Sequence, residues 1–255
     1  MEVLEAVFLV LAVLIMAYVV RHFVFAFVAL KNAKKQDGAF EVEKLHYRPS
    51  VSVLIPACDE ERVIGRLLQR MTELTYPKDK LQIIVIDDAS KDRTREIAEE
   101  FAKTYAYIEV MHRNGTEGRR GKAAALNAAI QRIRGEVIFF FDADYYPQKD
   151  ILEKLVQEFV DPEVGAVQGR VTVLNEPKNL VTRLVSLERI GGYRVDQQAR
   201  NSLGLIPQFG GTVGGVRRSL LERLGGWDES ILAEDTDLTF RVYLEGFKVR
   251  YNNDA

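Results

Sequence analysis

The sequence predicts an α/β fold: a mainly parallel, mixed sheet with helices on both faces, preceded by an N-terminal transmembrane helix. Runs of β-branched and aromatic residues alternate with segments whose apolar residues recur at helical spacing, as in strand–helix–strand units. Residues 6–30 are apolar apart from Arg21 and His22. The chain has 255 residues, of which 47% are hydrophobic and 28% charged, so one globular domain with a full core can follow the apolar segment.

Composition excludes several classes of function. A net charge of -2 gives no electrostatic reason to expect a nucleic acid partner. Cys58 is the single cysteine, so no intrachain disulfide framework is possible. Cys58 and three scattered histidines do not form the spacing of a zinc site.

The apolar segment predicts a membrane anchor. A helix of about 25 residues is about 37 Å long, which exceeds the bilayer core of about 30 Å. Arg21 costs roughly 3 kcal/mol on insertion scales, and the surrounding aliphatic and aromatic residues offset this. A cleaved signal peptide is disfavoured because Glu2 and Glu5 replace the usual basic start and no small-residue cleavage site follows.

Basic residues after the span predict its orientation. Three lysines follow it directly, namely Lys31, Lys34 and Lys35. The positive-inside rule then places the remaining chain in the cytoplasm, at the cell (inner or plasma) membrane. We expect residues 1–35 to be the anchor with its basic flank, 36–50 a linker, and 51–255 a globular α/β domain.

The α/β region is predicted in order along the chain. Strands are expected at 51–55, 82–86 and 107–111, in the run that ends at Asp142, and at 248–251. Helices are expected around 63–71, 92–105, 126–133 and 237–244, and 180–198 is either an interfacial helix lying against the membrane or a plain surface helix. The first strand lacks the Gly-x-Gly-x-x-Gly fingerprint, which disfavours a dinucleotide-dependent oxidoreductase.

A pair of carboxylates ends the run V-I-F-F-F-D-A-D. Asp142 and Asp144 are two residues apart in an extended chain, so their side chains point to the same side, about 6 to 7 Å apart. Hard oxygen ligands suit Mg2+ or Mn2+, and Mg2+ completes its shell with water and substrate phosphates. The pair therefore predicts a metal–diphosphate site, although Asp is also common where a strand turns.

Two further acidic clusters lie at predicted element ends. Asp87 and Asp88 follow an apolar strand, and Glu234 and Asp235 follow a glycine-rich stretch. Parallel sheets bind ligands beyond the carboxyl ends of their strands, so the three clusters are expected to form one site. The alternative for Glu234 and Asp235 is an acidic first turn that the helix dipole favours.

Five motifs in register resemble the processive-type, membrane-anchored branch of glycosyltransferase family 2, which includes cellulose synthase-like and glycolipid synthase-like enzymes. They read V-S-V-L-I-P-A-C-D-E-E, V-I-D-D-A-S-K-D, G-K-A-A-A-L-N, F-D-A-D and G-G-W-D-E-S-I-L-A-E-D-T-D-L. The resemblance covers the chain from Val51 to its end and implies the GT-A nucleotide-sugar fold. Such enzymes continue beyond this point, so we expect the catalytic domain to be truncated at Ala255.

The resemblance also implies a role for each site residue. Asp235 is the implied catalytic base, and Asp144 with Asp142 would hold Mg2+ or Mn2+. The nucleotide-sugar would contact Pro56, Ala57, Glu60, Asp87, Lys122 and Asp142. The acceptor would contact Gly211, Thr212, Trp227 and Glu234. Cys58 stands where the family usually has an aromatic residue.

The predicted function is an inverting, metal-dependent transfer from a UDP-sugar to a hydroxyl of a polysaccharide or membrane glycolipid, forming a β-linkage. Two alternatives remain open. Asp142 and Asp144 also fit a haloacid-dehalogenase-type phosphohydrolase or phosphotransferase, in which an aspartate is the nucleophile. The chain could instead be a non-catalytic, membrane-tethered nucleotide-sugar-binding domain.

Overall fold

The computed structural model describes residues 2–36, 47–114, 118–174 and 178–255. The chain divides into two compact units, a smaller one of Met1–Phe40 and Val171–Pro207 and a larger one of Glu41–Arg170 and Gln208–Ala255. Val171–Pro207 thus groups with the N-terminal helix, whereas the sequence placed it in the catalytic domain. Most of the predicted linker at 36–50 lies outside the described residues.

The larger unit contains a seven-stranded sheet. Its strands are β1 Val51–Ala57, β2 Leu81–Asp88, β3 Ile108–Arg113, β4 Val137–Phe140, β5 Val164–Gly169, β6 Gly214–Arg217 and β7 Lys248–Asn252. The strand order is β3-β2-β1-β4-β6-β5-β7. β6 runs antiparallel to both of its neighbours and the other pairs are parallel. The predicted mainly parallel mixed sheet is confirmed.

The described α-helices alternate with these strands. They are α1 Glu2–Gln36, α2 Ile64–Thr72, α3 Thr94–Thr104, α4 Lys122–Ala129, α5 Ile151–Val156, α6 Leu180–Arg189, α7 Gln198–Ser202, α8 Arg218–Arg223 and α9 Glu234–Leu244. The larger unit holds α2 to α5, α8 and α9. Alternate residues of a strand face opposite sides of a sheet, and both sides of β1 and β2 are buried.

One side of the sheet packs against α4 and α9. Leu54 of β1 and Phe140 of β4 share a buried apolar cluster with Leu126 of α4 and Leu238 of α9. Such burial holds the beginnings of α4 and α9 close to the strand ends. Both helices begin with residues that the sequence assigns to the site, Lys122 and Glu234.

The smaller unit is built on α1. Residues Val3–Lys31 are long and apolar enough to cross a membrane. Phe25 and Ala29 are buried, on the face of α1 that packs with α7 and with a π-helical segment, Ile190–Gln197. α6 exposes an apolar surface that includes Leu180 and Leu187. Its assignment as an interfacial helix stays a prediction.

The charge within the apolar span has a partner in this unit. The Arg21 guanidinium lies 3.3 Å from the carboxylate of Asp196 in the π-helical segment. It also lies over the rings of Tyr18 and Phe25, at 5.0 and 4.9 Å from their centroids. Asp196 pairs at 2.6 Å with Arg200 as well. The ion pair and ring contacts reduce the energetic penalty of Arg21 in an apolar helix.

Candidate active site

A cleft lies at the carboxyl ends of β1, β2 and β4 in the larger unit. It has a volume of about 490 Å³. Six of the residues predicted from the sequence line it, namely Pro56, Ala57, Glu60, Lys122, Asp142 and Asp144. Parallel strands end at the same edge of a sheet, so the P-A-C-D-E-E and F-D-A-D motifs meet there.

Lys122 contacts both Asp142, which follows β4, and Gly211, which precedes β6. It is the first residue of α4 and follows Gly121, whose positive φ of 97° is easily adopted by glycine. Its ammonium nitrogen lies 2.7 Å from Asp142 Oδ1 and donates to the carbonyl oxygen of Gly211 at 3.3 Å. The backbone N–H of Asp142 donates to Thr212 Oγ1 at 3.2 Å. Lys122 and Asp142 therefore lie beside Gly211 and Thr212, the predicted acceptor side.

Asp142 and Asp144 offer the donor set of a divalent cation. The side chain of Asp144 is exposed and that of Asp142 is partly exposed, so both are open to solvent. Burial raises the pKa of Glu60, and Asp144, Asp92 and Asp142 raise it further. Acidic residues thus make this end of the cleft favourable for a cation.

Two carboxylates suffice for a metal that also binds a diphosphate. Within the described residues, no group of three His, Cys, Asp or Glu side chains converges on a metal position. A magnesium or manganese ion held by Asp142 and Asp144 would take its other ligands from water and phosphate oxygens. The residues present fit such an ion, with Lys122 as a second positive charge.

Asp235 lies beside the same cluster. It is in the first turn of α9, and its carboxylate occupies the space next to the α-carbon of Gly211, whose φ is +69°. Asp235 Oδ1 is buried without a hydrogen-bond partner among the described residues. Burial raises the pKa of Asp235 to about 6, Glu234 and Asp142 raise it, and Lys122 lowers it. A carboxylate near Lys122 and Asp142, with a pKa close to neutrality, is suited to accept a proton.

An acidic first turn does not by itself account for Asp235. Asp237, in the same turn, is partly exposed and pairs with Arg241 of α9 at 2.6 Å. Asp235 is instead directed inward, where burial penalises its charge. Glu234 is partly exposed at the start of the helix.

The D-D-A-S motif is placed differently from the expectation. Asp87, predicted to contact the nucleotide, is fully buried, bonded to His112 Nδ1 and accepting the backbone N–H of Ser90 at 3.2 Å. Asp88 lines the cleft and pairs at 2.6 Å with Arg113. Of the two aspartates in this motif, Asp88 lines the cleft, although it is only 6% exposed, and Asp87 does not.

Trp227 is also placed differently from the expectation of a sugar-stacking platform. It is 3% exposed and packs edge-on against Phe140, with the ring centroids 5.0 Å apart. Asn127 holds its backbone, donating to the Trp227 carbonyl oxygen at 2.8 Å and accepting its N–H at 2.9 Å. Trp227 is therefore a core residue, and Asn127 positions the loop before α9.

Gln168 was not predicted from the sequence, and it holds the loop that contains Gly210 and Thr212. This buried residue of β5 donates to the Thr212 carbonyl oxygen at 2.9 Å and accepts the Gly210 N–H at 2.7 Å. β5 was not predicted, so nothing in the sequence placed Gln168 near F-G-G-T-V-G-G. Its two bonds hold the backbone on which Lys122 and Asp235 converge.

The fold and the site define the GT-A class of nucleotide-sugar proteins. Residues 52–225 match the model of the family described as "Glycosyl transferase family 2". The chain belongs to glycosyl transferase family 2. The expectation drawn from the five motifs is confirmed. A haloacid-dehalogenase-type enzyme is not supported, since its nucleophile normally follows the first strand and Asp142 follows β4.

Two relatives and two solved structures illustrate the similarity. The "Probable glycosyltransferase YdaM" of Bacillus subtilis (strain 168) is 42% identical over 82% of this chain and 50% of its own length. A "Beta-monoglucosyldiacylglycerol synthase" of Synechocystis sp. is 36% identical over 79% of this chain and 42% of its own length. The chain therefore spans about half the length of the curated relatives that it matches.

The first of the solved structures is the mannosyltransferase PcManGT from Pyrobaculum calidifontis in complex with GDP-Man and Mn2+. It has a TM-score of 0.70 and 29% identity, and the similarity covers 94% of this chain and 65% of that one. The second is S. aureus TarS 1-349 in complex with UDP, with a TM-score of 0.57 and 21% identity over 81% of this chain and 58% of that one. At that identity TarS supports the fold alone.

Proposed function

We propose that the protein is an inverting, metal-dependent glycosyltransferase that moves a sugar from a UDP-sugar to a hydroxyl of a membrane glycolipid or polysaccharide. The observation that carries this proposal is the placement of Asp235 beside Gly211, whose carbonyl oxygen accepts a hydrogen bond from Lys122. Lys122 also pairs with Asp142 at the strand end. A buried carboxylate and the lysine proposed to bind the diphosphate therefore both contact one backbone segment.

On the donor side, Lys122 binds the diphosphate, and Asp142 and Asp144 would hold the divalent cation that accompanies it. A magnesium or manganese ion bound by the two aspartates would act as a Lewis acid on the leaving UDP. Lys122 adds a positive charge next to the same oxygens, which stabilises the charge that develops as UDP departs. Asp88 and the backbone from Pro56 to Cys58 line the part of the cleft that receives the nucleoside.

On the acceptor side, Asp235 takes the proton of the attacking hydroxyl. A carboxylate whose pKa is about 6 is a stronger base than a solvated one near pKa 4. The acceptor oxygen attacks the anomeric carbon from the face opposite UDP, forming one bond as the bond to UDP breaks. A single displacement inverts the centre, so an α-linked donor gives a β-linked product.

A lipid acceptor at the membrane is favoured over a polysaccharide. One relative is named as a beta-monoglucosyldiacylglycerol synthase, and α1 is long and apolar enough to span a bilayer. Lys31 and the two lysines after it place the catalytic part on the cytoplasmic side by the positive-inside rule. UDP-sugars are available there, and a membrane-tethered site would reach lipid hydroxyls.

Product analysis tests this proposal. The full chain in detergent or vesicles is given α-linked UDP-sugars or GDP-mannose with diacylglycerol or oligosaccharide acceptors, plus Mn2+ or Mg2+. We expect a β-linked glycolipid from a UDP-sugar, detected by mass analysis and by the anomeric coupling constant. The product should be lost in Asp235→Asn and retained in Asp237→Asn, a matched control from the same turn of α9.

Other outcomes contradict specific parts of the proposal. An α-linked product would exclude single displacement. Use of GDP-mannose alone would overturn the donor assignment, and an oligosaccharide product alone would overturn the lipid acceptor. No transfer with any donor would favour a non-catalytic binding domain.

A further inference from the structure

Arg119 joins the two loops that follow β1 and β2. Its Nη2 lies 2.5 Å from Asp59 Oδ2, and its Nε donates to the carbonyl oxygen of Ala89 at 3.2 Å. Asp59 follows β1, Ala89 follows β2, and the two strands are neighbours in the sheet. Arg119 also lines the cleft, so its guanidinium bridges the strand ends where a ligand would enter.

The same three residues share an unusual backbone conformation. Asp59, Ala89 and Arg119 have φ values of 59°, 57° and 59°, in the left-handed region that favours glycine. Residues other than glycine persist there when the surrounding structure enforces the conformation, and such residues cluster at ligand clamps. Hydrogen bonds from one guanidinium hold all three together.

Arg119 lies where the nucleobase end of a bound nucleotide would be. Asp142 follows β4 and Ala89 follows β2, with β1 between them. Two strand spacings are about 10 Å. A diphosphate bound by Asp142 and Lys122 leaves the ribose to extend across β1, and the nucleobase then reaches the end of β2, where Arg119 lies.

The charge of Arg119 is matched by Asp59, as that of Lys122 is matched by Asp142. Asp59 neutralises the guanidinium, and Arg119 is one of the groups that lower the pKa of that carboxyl, after the backbone N–H of Lys91. The hydrogen bonds that Arg119 donates lie in the plane of the guanidinium and use Nε and Nη2, so they leave its planar face uncovered. Guanidinium faces stack on aromatic rings.

We propose that Arg119 is a nucleobase clamp, with its guanidinium plane stacked on the base of the nucleotide-sugar. This inference rests on the proposed function, because it takes the ligand to be a nucleoside diphosphate sugar. Stacking does not depend on the hydrogen-bonding groups at the edge of a nucleobase, so Arg119 increases affinity for any base. Discrimination between bases falls to Asp88 and the backbone from Pro56 to Cys58.

Calorimetry on the full chain tests the clamp with three probes: UMP, UDP with Mn2+, and pyrophosphate with Mn2+. Arg119→Lys keeps the charge and loses the plane, and Arg119→Gln loses both. We expect both variants to bind UMP and UDP about tenfold more weakly and pyrophosphate unchanged, since stacking acts on the base alone. The donor KM should rise with kcat unchanged. Arg120→Gln is the matched control, because Arg120 pairs with Glu229 at 3.3 Å.

Three results would overturn the clamp. UMP affinity unchanged in both Arg119 variants would exclude stacking, and an equal loss for pyrophosphate would make Arg119 a phosphate ligand. A loss of nucleotide affinity in Arg119→Gln alone would assign the effect to charge. A thermal melt shows whether Arg119→Gln is folded. Arg119→Lys keeps the ion pair with Asp59 and so controls for its loss. A wild-type chain that binds no nucleotide overturns the proposed function together with the clamp, whereas normal wild-type binding with unaffected variants overturns the clamp alone.

Discussion

The carboxylate of Asp235 lies in the space that a β-carbon on Gly211 would occupy. Gly211 also has a positive φ of 69°, and its carbonyl oxygen accepts the hydrogen bond of Lys122. The residue therefore needs to be glycine for two separate reasons. Its small size lets the proposed base lie against the backbone segment whose carbonyl oxygen accepts from Lys122.

Gly211→Ala should reduce kcat far more than it reduces folding stability. The added methyl group pushes Asp235 out of position, and a displacement of about 1 Å in an active site lowers rates by about 100-fold. UDP binding should stay within about twofold of wild type because the donor residues are untouched. Steady-state kinetics and UDP calorimetry measure the two effects.

Gly204→Ala is the control for backbone strain alone. Gly204 has a φ of +68°, and a β-carbon there meets no heavy atom within 4 Å. Both alanines therefore pay a similar conformational penalty, of about 1 kcal/mol. Equal kcat losses in the two variants would show that strain, and not displacement of Asp235, accounts for the effect.

The rate of transfer should depend on the ionisation of Asp235. Burial raises its pKa from 3.8 to about 6, and only the ionised form can accept a proton. We expect kcat to rise tenfold per pH unit below about pH 6 and to level off above pH 7. Asp235→Asn should lower kcat by about 100-fold or more and lose this dependence. A profile still rising above pH 8 would assign the base elsewhere.

Ionisation of the Asp235 carboxyl should lower folding stability, although it raises the rate of transfer. Its folded-state pKa is raised, so its contribution to stability is fully present below about pH 3.8 and is lost as pH rises through about 6. Relative to wild type, Asp235→Asn should therefore gain stability between pH 4 and pH 7, by at most about 3 kcal/mol. Thermal unfolding at the two pH values measures this difference. A relative loss over that range would contradict the burial of the charged group.

Lys122→Met should have opposite effects on metal affinity and on turnover. Removing the ammonium frees Asp142 Oδ1, so Mn2+ alone should bind more tightly. Turnover should fall by about 100-fold because the leaving diphosphate loses a positive charge. Lys149→Met, which removes a surface lysine paired with Glu73 at 3.3 Å, should change neither quantity. Weaker Mn2+ binding in Lys122→Met would contradict this account.

Trp227 should behave as a core residue in kinetic experiments. Its ring packs on Phe140, and its indole nitrogen has no hydrogen-bond partner among the described residues. Trp227→Phe should lower the free energy of unfolding by about 1 to 3 kcal/mol, which a thermal melt detects. It should leave the acceptor KM unchanged. A large increase in acceptor KM without a loss of stability would restore the predicted stacking role.

The parts of the fold that follow from sequence are those with a strong local pattern. β1 and β2 are nearly continuous apolar runs, and the structure extends them to Ala57 and Asp88. β6, Gly214–Arg217, was missed because it contains two glycines and reads as a loop. Among the described strands it alone runs antiparallel to both of its neighbours, β4 and β5, through contacts distant in sequence.

In the site too, features within one segment could be predicted, and features that depend on contacts distant in sequence could not. Asp142 and Asp144 could be predicted because their spacing and the preceding strand lie in one segment. The direction of a side chain depends on neighbours that the sequence does not reveal, such as His112 beside Asp87 and Asn127 beside Trp227. The left-handed backbone conformation of Arg119 and its ion pair with Asp59 likewise depend on three separate loops.

Calorimetry of UDP with and without Mn2+ tests the central claim most directly, with Asp144→Asn compared with Asp235→Asn. The claim is that two carboxylates of one site have separate roles, one toward the metal–diphosphate and one toward the acceptor. We predict Mn2+-dependent UDP binding that is lost in Asp144→Asn and kept in Asp235→Asn, with transfer abolished in both. Normal Mn2+-dependent UDP binding by Asp144→Asn, or its loss in Asp235→Asn, would contradict this assignment.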